Sequence, residues 1–139
     1  MSFVKIMIHA VWRTKNSERI LLSEPRNLLL KHIKENAKKK GIFIDTINAE
    51  PEHVHCLFSY NTDMSLSKAL QLIKGEASFW ANQQKLIRTK LYWAVDYYAV
   101  SVSESQLPKI RAYIRNQHEH HRRFSFAEEY EEFIKAYQG

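Results

Sequence analysis

The stretch Ile42-Phe43-Ile44-Asp45-Thr46-Ile47-Asn48-Ala49-Glu50-Pro51-Glu52-His53-Val54-His55-Cys56-Leu57-Phe58-Ser59-Tyr60 carries the reading of the fold. Two runs rich in β-branched and aromatic residues flank Glu50-Pro51-Glu52, a connection with room only for a tight turn. Ile42 to Ala49 and His53 to Tyr60 are therefore expected to pair as strands of a hairpin. Successive side chains on a strand point to opposite faces. Val54, Cys56 and Phe58 then share one face, while His53 and His55 point together from the other. Two adjacent neutral imidazoles make a chelating pair for a divalent metal. A lone His-X-His is more often two unrelated histidines on a half-exposed strand, so a third ligand is needed to distinguish the two.

Working outward, Phe3 to Trp12 is rich in Val, Ile and Met and reads as a buried strand. Ser23 is placed to cap a helix with Glu24 and Pro25 in its first turn. Leu28, Leu29, Ile33 and Ala37 give it an apolar stripe, Lys38-Lys39-Lys40 complement the dipole of its last turn, and Gly41 stops it. Ser65 opens a second helix, to about Gln84, with Leu66, Ala69, Leu70, Ile73 and Ala77 on one side. Leu91 to Ser103 reads as a strand interrupted near Asp96. Leu107, Ile110 and Ile114 begin a helix over about 106–123, and Ser125 with Glu128 forms a capping box for a short helix over about 126–137. The order βαββαβαα predicts one α+β domain over 1–139, a ferredoxin-like antiparallel sheet with helices on one face.

The length of 139 residues and the apolar share of 45% suit a single folded core. Lys and Arg number 21 against 15 Asp and Glu, and the resulting net charge of +6 points to a polyanionic partner. A single cysteine, Cys56, excludes an intrachain disulfide framework and fits a reducing compartment. The start of the sequence shows no basic leader with a small-residue cleavage site, and no apolar run approaches the roughly 18 residues of a membrane span. The expected setting is the cytoplasm, with no membrane association and no organic cofactor.

The second chemical motif is Tyr113-Ile114-Arg115-Asn116-Gln117. Residues four apart on a helix share a face, and Tyr113, Gln117 and His120 fall within about 60° of arc. Tyr113 lies at the edge of the apolar stripe of Leu107, Ile110 and Ile114, a position that an ordinary boundary tyrosine also occupies. Joined to the histidine pair, it acquires a chemical use. A phenol with a pKa near 10 is a poor nucleophile. A metal ion that polarises a phosphate lets it attack phosphorus and store the bond energy as a phosphotyrosine. Gln117 offers a neutral oxygen as third ligand beside His53 and His55, leaving positions open for phosphate and water.

These residues carry a resemblance. Glu50-Pro51-Glu52-His53-Val54-His55 resembles the HUH motif (His, hydrophobic, His) of the single-tyrosine HUH transposases, the insertion-sequence-200-like family with its REP-associated tyrosine transposase relatives. His9-Ala10-Val11-Trp12-Arg13-Thr14-Lys15 is similar to the family's first strand, and Ile73-Lys74-Gly75-Glu76-Ala77-Ser78 to its central-helix signature. Trp93 through Ser103 resembles the strand before the catalytic helix, and Tyr113 to Gln117 the nucleophile motif. The resemblance covers nearly the whole chain. It implies a transposase that excises and inserts single-stranded DNA, recognising hairpins near the element ends. It further implies a 5′-phosphotyrosine at Tyr113 with release of a 3′ hydroxyl. Mg²⁺ or Mn²⁺ would be held by His53, His55 and Gln117, in a homodimer whose tyrosine helix can complete the partner's histidine site.

Several residues are candidates for contact with DNA. Arg13, Lys15, Lys74, Arg88, His120, Arg122 and Arg123 are available for phosphate neutralisation, with Gly75 beside Lys74 permitting close backbone approach. His118 and His121 belong to the same basic run. Trp93, Tyr97 and Tyr98 can stack on unpaired bases or pack in the core. His9, Glu50 and Glu52 receive no chemical role, although one of the two carboxylates is placed to assist a metal. The competing readings are a rolling-circle initiator or relaxase, which often carries a second tyrosine, and a domesticated hairpin-binding protein without mobility. Tyr113 has no tyrosine at i+4, which favours the transposase. A histidine-triad phosphohydrolase would need a further alternating histidine, and position 57 is Leu57.

Overall fold

The expected hairpin forms around the two-residue turn Pro51–Glu52, which joins β2 (Ile44–Glu50) to β3 (His53–Ser59). A computed structural model describes residues 2–117, together with Glu128 and Glu131. The other strands and α-helices are β1 (Met7–Thr14), α1 (Ser23–Lys39), α2 (Leu66–Gln83), β4 (Trp93–Val102) and α3 (Leu107–Arg115), with short 3-10 turns at Lys15–Ser17 and Glu104–Gln106. The strands form one antiparallel sheet in the order β2-β3-β1-β4, the arrangement expected of a ferredoxin-like βαββαβ chain. The turn is tied to the strand beside it: Thr14 N donates to Glu52 O at 2.8 Å and Leu21 N to Pro51 O at 2.9 Å.

Register divides the chemistry between the two faces. On β3, Val54, Cys56 and Phe58 lie opposite Trp12, Ala10 and Ile8 of β1, and all are buried in the main core. Leu29, Ile33 and Ala37 of α1 and Ala69, Leu70, Ile73, Ala77 and Ala81 of α2 pack over this face. Burial pushes the Cys56 thiol above its ordinary pKa, so it stays protonated and behaves as a small hydrophobe. The helices were expected on one face. That holds for α1 and α2, but α3 packs against the opposite face, where Leu107, Ile110 and Ile114 meet Met7, Leu57 and Val102. An amphipathic stripe requires an apolar surface to bury against but does not say which side of a sheet supplies it.

Several local expectations change. Ser65 caps α2 as read, its side chain accepting from Lys68 N. Ser23 does not cap α1: Leu22 holds that position, no side chain caps the helix, and Ser23 itself has φ 48. Leu28 is exposed while Leu29, Ile33 and Ala37 form the buried stripe. The interruption near Asp96 is a register shift, with Trp12 opposite Tyr97 but Thr14 opposite Trp93. Within the helix expected over about 106–123, α3 is interrupted at Asn116, which leaves helical geometry at φ −98, ψ 26, and Gln117 is helical again. The interruption is gripped from another strand: Asn48 Nδ2 donates to the carbonyls of Ile114 at 3.0 Å and Arg115 at 3.3 Å, groups that a break in a helix leaves open. Residues 118–123 and most of the expected helix over 126–137 lie outside the described residues, of which Glu128 and Glu131 are helical and exposed.

Candidate active site

The face of the sheet opposite the main core carries an unusual load of polar side chains. His53 and His55 on β3 point to it together, as alternation requires, and so does His9 on β1. All three are buried beside the α3 cluster. His53 and His55 stand with ring centroids 5.1 Å apart, and His55 lies 5.2 Å from His9. The ring of Tyr113 sits 5.5 Å from His55 and 6.5 Å from His9. Gln117, one helical turn beyond Tyr113, places Oε1 3.3 Å from His53 Nε2. The two motifs, 64 residues apart along the chain at His53 and Gln117, therefore meet within one subunit.

Tyr113 is positioned by how α3 is fastened. Leu107, Ile110 and Ile114 hold its apolar side to the sheet, and Tyr113 packs, partly buried, at the margin of that cluster. A polar tie adds to this on the β2 side. Arg111 Nε and Nη2 donate to the two oxygens of Asp45, each at 2.9 Å, a paired geometry that fixes direction as well as distance. These hydrogen bonds from Arg111 hold the Asp45 carboxyl below its usual pKa. Asn48 grips the other end of α3, and the turn at Asn116 carries Gln117 inward to full burial.

The donor set fits a divalent cation. His53 Nδ1 lies 3.0 Å from Glu52 Oε1, and Glu52 Oε2 accepts from Arg19 Nη1 at 2.9 Å. A carboxylate only accepts, so in a neutral His53 the proton is on Nδ1 and the lone pair on Nε2. Gln117 Nε2 donates to the Tyr113 carbonyl at 3.4 Å, which turns Oε1 toward His53. In that tautomer Nε2 and Gln117 Oε1 are two donor atoms for a cation, 3.3 Å apart. Metal bonds of about 2.1 Å meeting at about 90–110° hold two donor atoms about 3.0–3.4 Å apart. Among the described residues no three His, Cys, Asp or Glu side chains converge to hold a metal; the expected set has two of that kind and one amide.

The candidate phosphate contacts separate. Arg13 lies opposite His53 across the β1–β3 pair, with Asp96 Oδ2 3.5 Å from its Nη2, and exposed Lys15 follows where β1 ends. Lys74 is on α2, over the other face, half-buried with Nζ 3.2 Å from Ala94 O and 5.5 Å from the Tyr97 ring centre. Burial lowers its pKa against a raising influence from Asp96. It borders a groove of about 380 Å³ with Gly75, Tyr92, Trp93 and Tyr97. Beyond its chain neighbours and the backbone of its own helix, a Cβ at Gly75 would meet nothing within 4 Å, so packing does not require glycine there. Trp93 packs edge-on against Trp12 and donates to Lys74 O at 2.8 Å; Tyr98 is buried beside His9. Of the three stacking candidates, Tyr97 alone is substantially exposed. Arg88 is exposed between α2 and β4, while His118, His120, His121, Arg122 and Arg123 lie outside the described residues.

Two residues that had no assigned role stand directly behind the histidines. Glu52 supports His53, and His9 Nε2 lies 3.0 Å from His55 Nδ1. Proximity in sequence was the available signal for Glu52. His9 gave none beyond its alternation with Val11 and Arg13, because register between β1 and β3 is not written in either strand alone.

An antiparallel α+β sheet that presents a histidine pair to a tyrosine-bearing helix defines a small class of folds, and similarity places the chain within it. Residues 2–117 match the family described as Transposase IS200 like, and the chain belongs to that family. The ISDra2 transposase TnpA of Deinococcus radiodurans is 27% identical over 118 residues, covering 80% of this chain and 83% of that protein. A structure assigned as a transposase from Deinococcus radiodurans R1 superposes with a TM-score of 0.65 at 23% identity, covering 84% of this chain and 93% of the other. The REP-associated tyrosine transposase bound to a REP hairpin superposes with a TM-score of 0.64 at 15% identity, over 87% and 72%. At such identities the two structures speak for the fold. Among the described residues no helix is long and apolar enough to cross a membrane.

Proposed function

We propose that this transposase cuts and rejoins single-stranded DNA through Tyr113, with His53, His55 and Gln117 holding Mg²⁺ or Mn²⁺. One observation supports this above the rest. Within a single chain, Gln117 Oε1 stands 3.3 Å from His53 Nε2 while the Tyr113 ring stands 5.5 Å from that of His55. A cation bound there would polarise the scissile phosphate as a Lewis acid. The Tyr113 oxygen attacks phosphorus, loses its proton and forms an O–P bond. The P–O3′ bond breaks, and the departing oxygen takes a proton to become a 3′ hydroxyl. Tyr113 is left as a 5′-phosphotyrosine, and attack by a 3′ hydroxyl reverses the step and rejoins the strand. Full burial of His53, His55 and Gln117 keeps bulk water from competing for the donor set.

The substrate in this reading is single-stranded DNA bearing a hairpin. The net charge of +6 and the position of Arg13 beside His53 favour a polyanion at this face. A structural neighbour is bound to a REP hairpin. The protein works as a homodimer in the cytoplasm, where Cys56 stays reduced. Because α3 lies on its own sheet, a subunit in this conformation has its tyrosine and histidines together.

The test uses hairpin-bearing single-stranded oligonucleotides from DNA flanking the gene, with Mn²⁺. A covalent protein–DNA band on a denaturing gel is expected, and Tyr113→Phe should abolish it while leaving the fold intact. A band that survives in Tyr113→Phe excludes this nucleophile, and one that survives chelation excludes the metal. Tight hairpin binding with no band under any condition would favour the non-cutting, domesticated reading.

A further inference from the structure

We infer that His9 is a positioning residue that fixes the tautomer of His55, its Nε2 accepting a hydrogen bond from His55 Nδ1–H so that the His55 lone pair sits on Nε2, the nitrogen that would bind the metal. This rests on the metal site proposed above. His9 is fully buried on β1, and its Nε2 lies 3.0 Å from His55 Nδ1. Ring centroids 5.2 Å apart and planes 28° apart put the two imidazoles edge to edge, so the N···N line runs close to both ring planes. That is the geometry of a hydrogen bond to a ring lone pair, not of face-to-face stacking.

One of the two nitrogens must donate and the other accept, and the choice determines what His55 can do. If His9 donates, a neutral His55 carries its own proton on Nε2 and has no lone pair left for a cation. If His55 donates, Nε2 is available and His9 is the acceptor. The second arrangement matches the other half of the site, where neutral His53 donates a hydrogen bond from Nδ1–H to Glu52 and keeps Nε2 facing Gln117. Both histidines then present Nε2, each held from behind through Nδ1, which is how metal-ligating histidines are generally oriented. The ring of His9 is itself wedged edge-on between Tyr98, at 6.3 Å, and Tyr113, at 6.5 Å. The same side chain that orients His55 therefore also touches the proposed nucleophile.

The experiment has two arms on the full chain. In metal-free wild-type protein, two-bond ¹H–¹⁵N correlation spectra should show His55 protonated on Nδ1. In titrations followed by electron paramagnetic resonance, His9→Leu should weaken Mn²⁺ binding about 10–100-fold. His9→Gln, whose Oε1 can replace Nε2 as an acceptor, should recover most of that loss. A purely structural role would not separate the two variants, and thermal melts identify any that fails to fold. A proton on Nε2 of His55 in the wild type overturns the inference. So does a folded His9→Leu that binds Mn²⁺ as tightly as wild type, or a folded His9→Gln that binds as poorly as His9→Leu. If wild-type protein binds no Mn²⁺, the proposed metal site falls, and the spectra still decide which of the two histidines donates.

Discussion

Ile114 offers a way to detach the nucleophile without dismantling the protein. It is fully buried beneath α3, one residue from Tyr113, in a cluster with Met7, Leu57, Val102, Leu107 and Ile110 that is separate from the main core. Ile114→Ala removes about three methylene equivalents, worth about 2.4 kcal/mol in transfer energy. The cavity left behind brings the expected loss to about 2–5 kcal/mol. Because the sheet's other face is held by α1 and α2, the loss should fall on the docking of α3. The lower figure corresponds to about a 30-fold shift toward the undocked helix. Hydrogen exchange read by mass spectrometry should therefore show protection over 107–115 reduced by that factor or more, with β1 and β3 much less affected. Covalent product formation should drop about 100-fold, since displacement of a reacting group by an ångström is enough for such a loss. Equal loss of protection across β1 and β3 would show that α3 is part of one cooperative unit. Unchanged protection over 107–115 with lost cleavage would refute the docking account.

Three other perturbations address separate parts of the site. Glu52→Ala leaves His53 without its Nδ1 acceptor. Mn²⁺ affinity should fall about 10–100-fold by titration calorimetry, and an unchanged affinity would remove Glu52 from the site. Asp45 has its pKa lowered by Arg111, so its contribution is complete above the unfolded value of about 3.9 and is lost as pH falls through the lower folded value. Protection of α3 should accordingly decline below about pH 4 relative to β1, and Asp45→Asn should start weaker and lack that part of the decline. A variant with the wild-type acid profile would show that Asp45 does not hold the helix. Arg13→Gln should reduce the slope of log binding constant against log salt by about 0.7 on single-stranded DNA, if Arg13 neutralises one phosphate. An unchanged slope would place Arg13 off the DNA path.

The parts of the fold that could be read in the sequence are those set by neighbours in the chain. Glu50-Pro51-Glu52 forces a tight turn, and the alternation of Val54, Cys56 and Phe58 with His53 and His55 assigns each side chain its face. The spacing of Tyr113 and Gln117 is likewise a local property of a helix, and it survives the turn at Asn116. What could not be read depends on contacts between distant segments. The turn at Asn116 is held by Asn48, on β2, which takes the carbonyls of Ile114 and Arg115. The choice of sheet face for α3 depends on Leu57 and Val102, which no periodicity within α3 can specify. His9 meets His55 only because β1 and β3 pair with Val11 opposite His55. A shift of one residue would send His9 into the core and abolish the pair.

That sensitivity makes the Pro51–Glu52 turn more than a connection. A two-residue loop allows little freedom of register between β2 and β3, so it sets Asn48 opposite His55 and Glu50 opposite His53. It presents the Glu52 carboxylate to His53 Nδ1, and its two carbonyls fasten Thr14 and Leu21, which holds the end of β1 beside β3. The register that brings His9 to His55 is thus held at the end of the sheet where His53 begins. An insertion in this turn would be expected to release Glu52 and loosen both pairings together, even though a single added residue leaves every candidate ligand in the sequence. The four atoms that matter most, Nε2 and Nδ1 on each of His53 and His55, depend on a loop of two residues whose side chains and backbone serve different strands. Composition at the site is therefore a poor guide to whether it works, and the geometry of this turn is a better one.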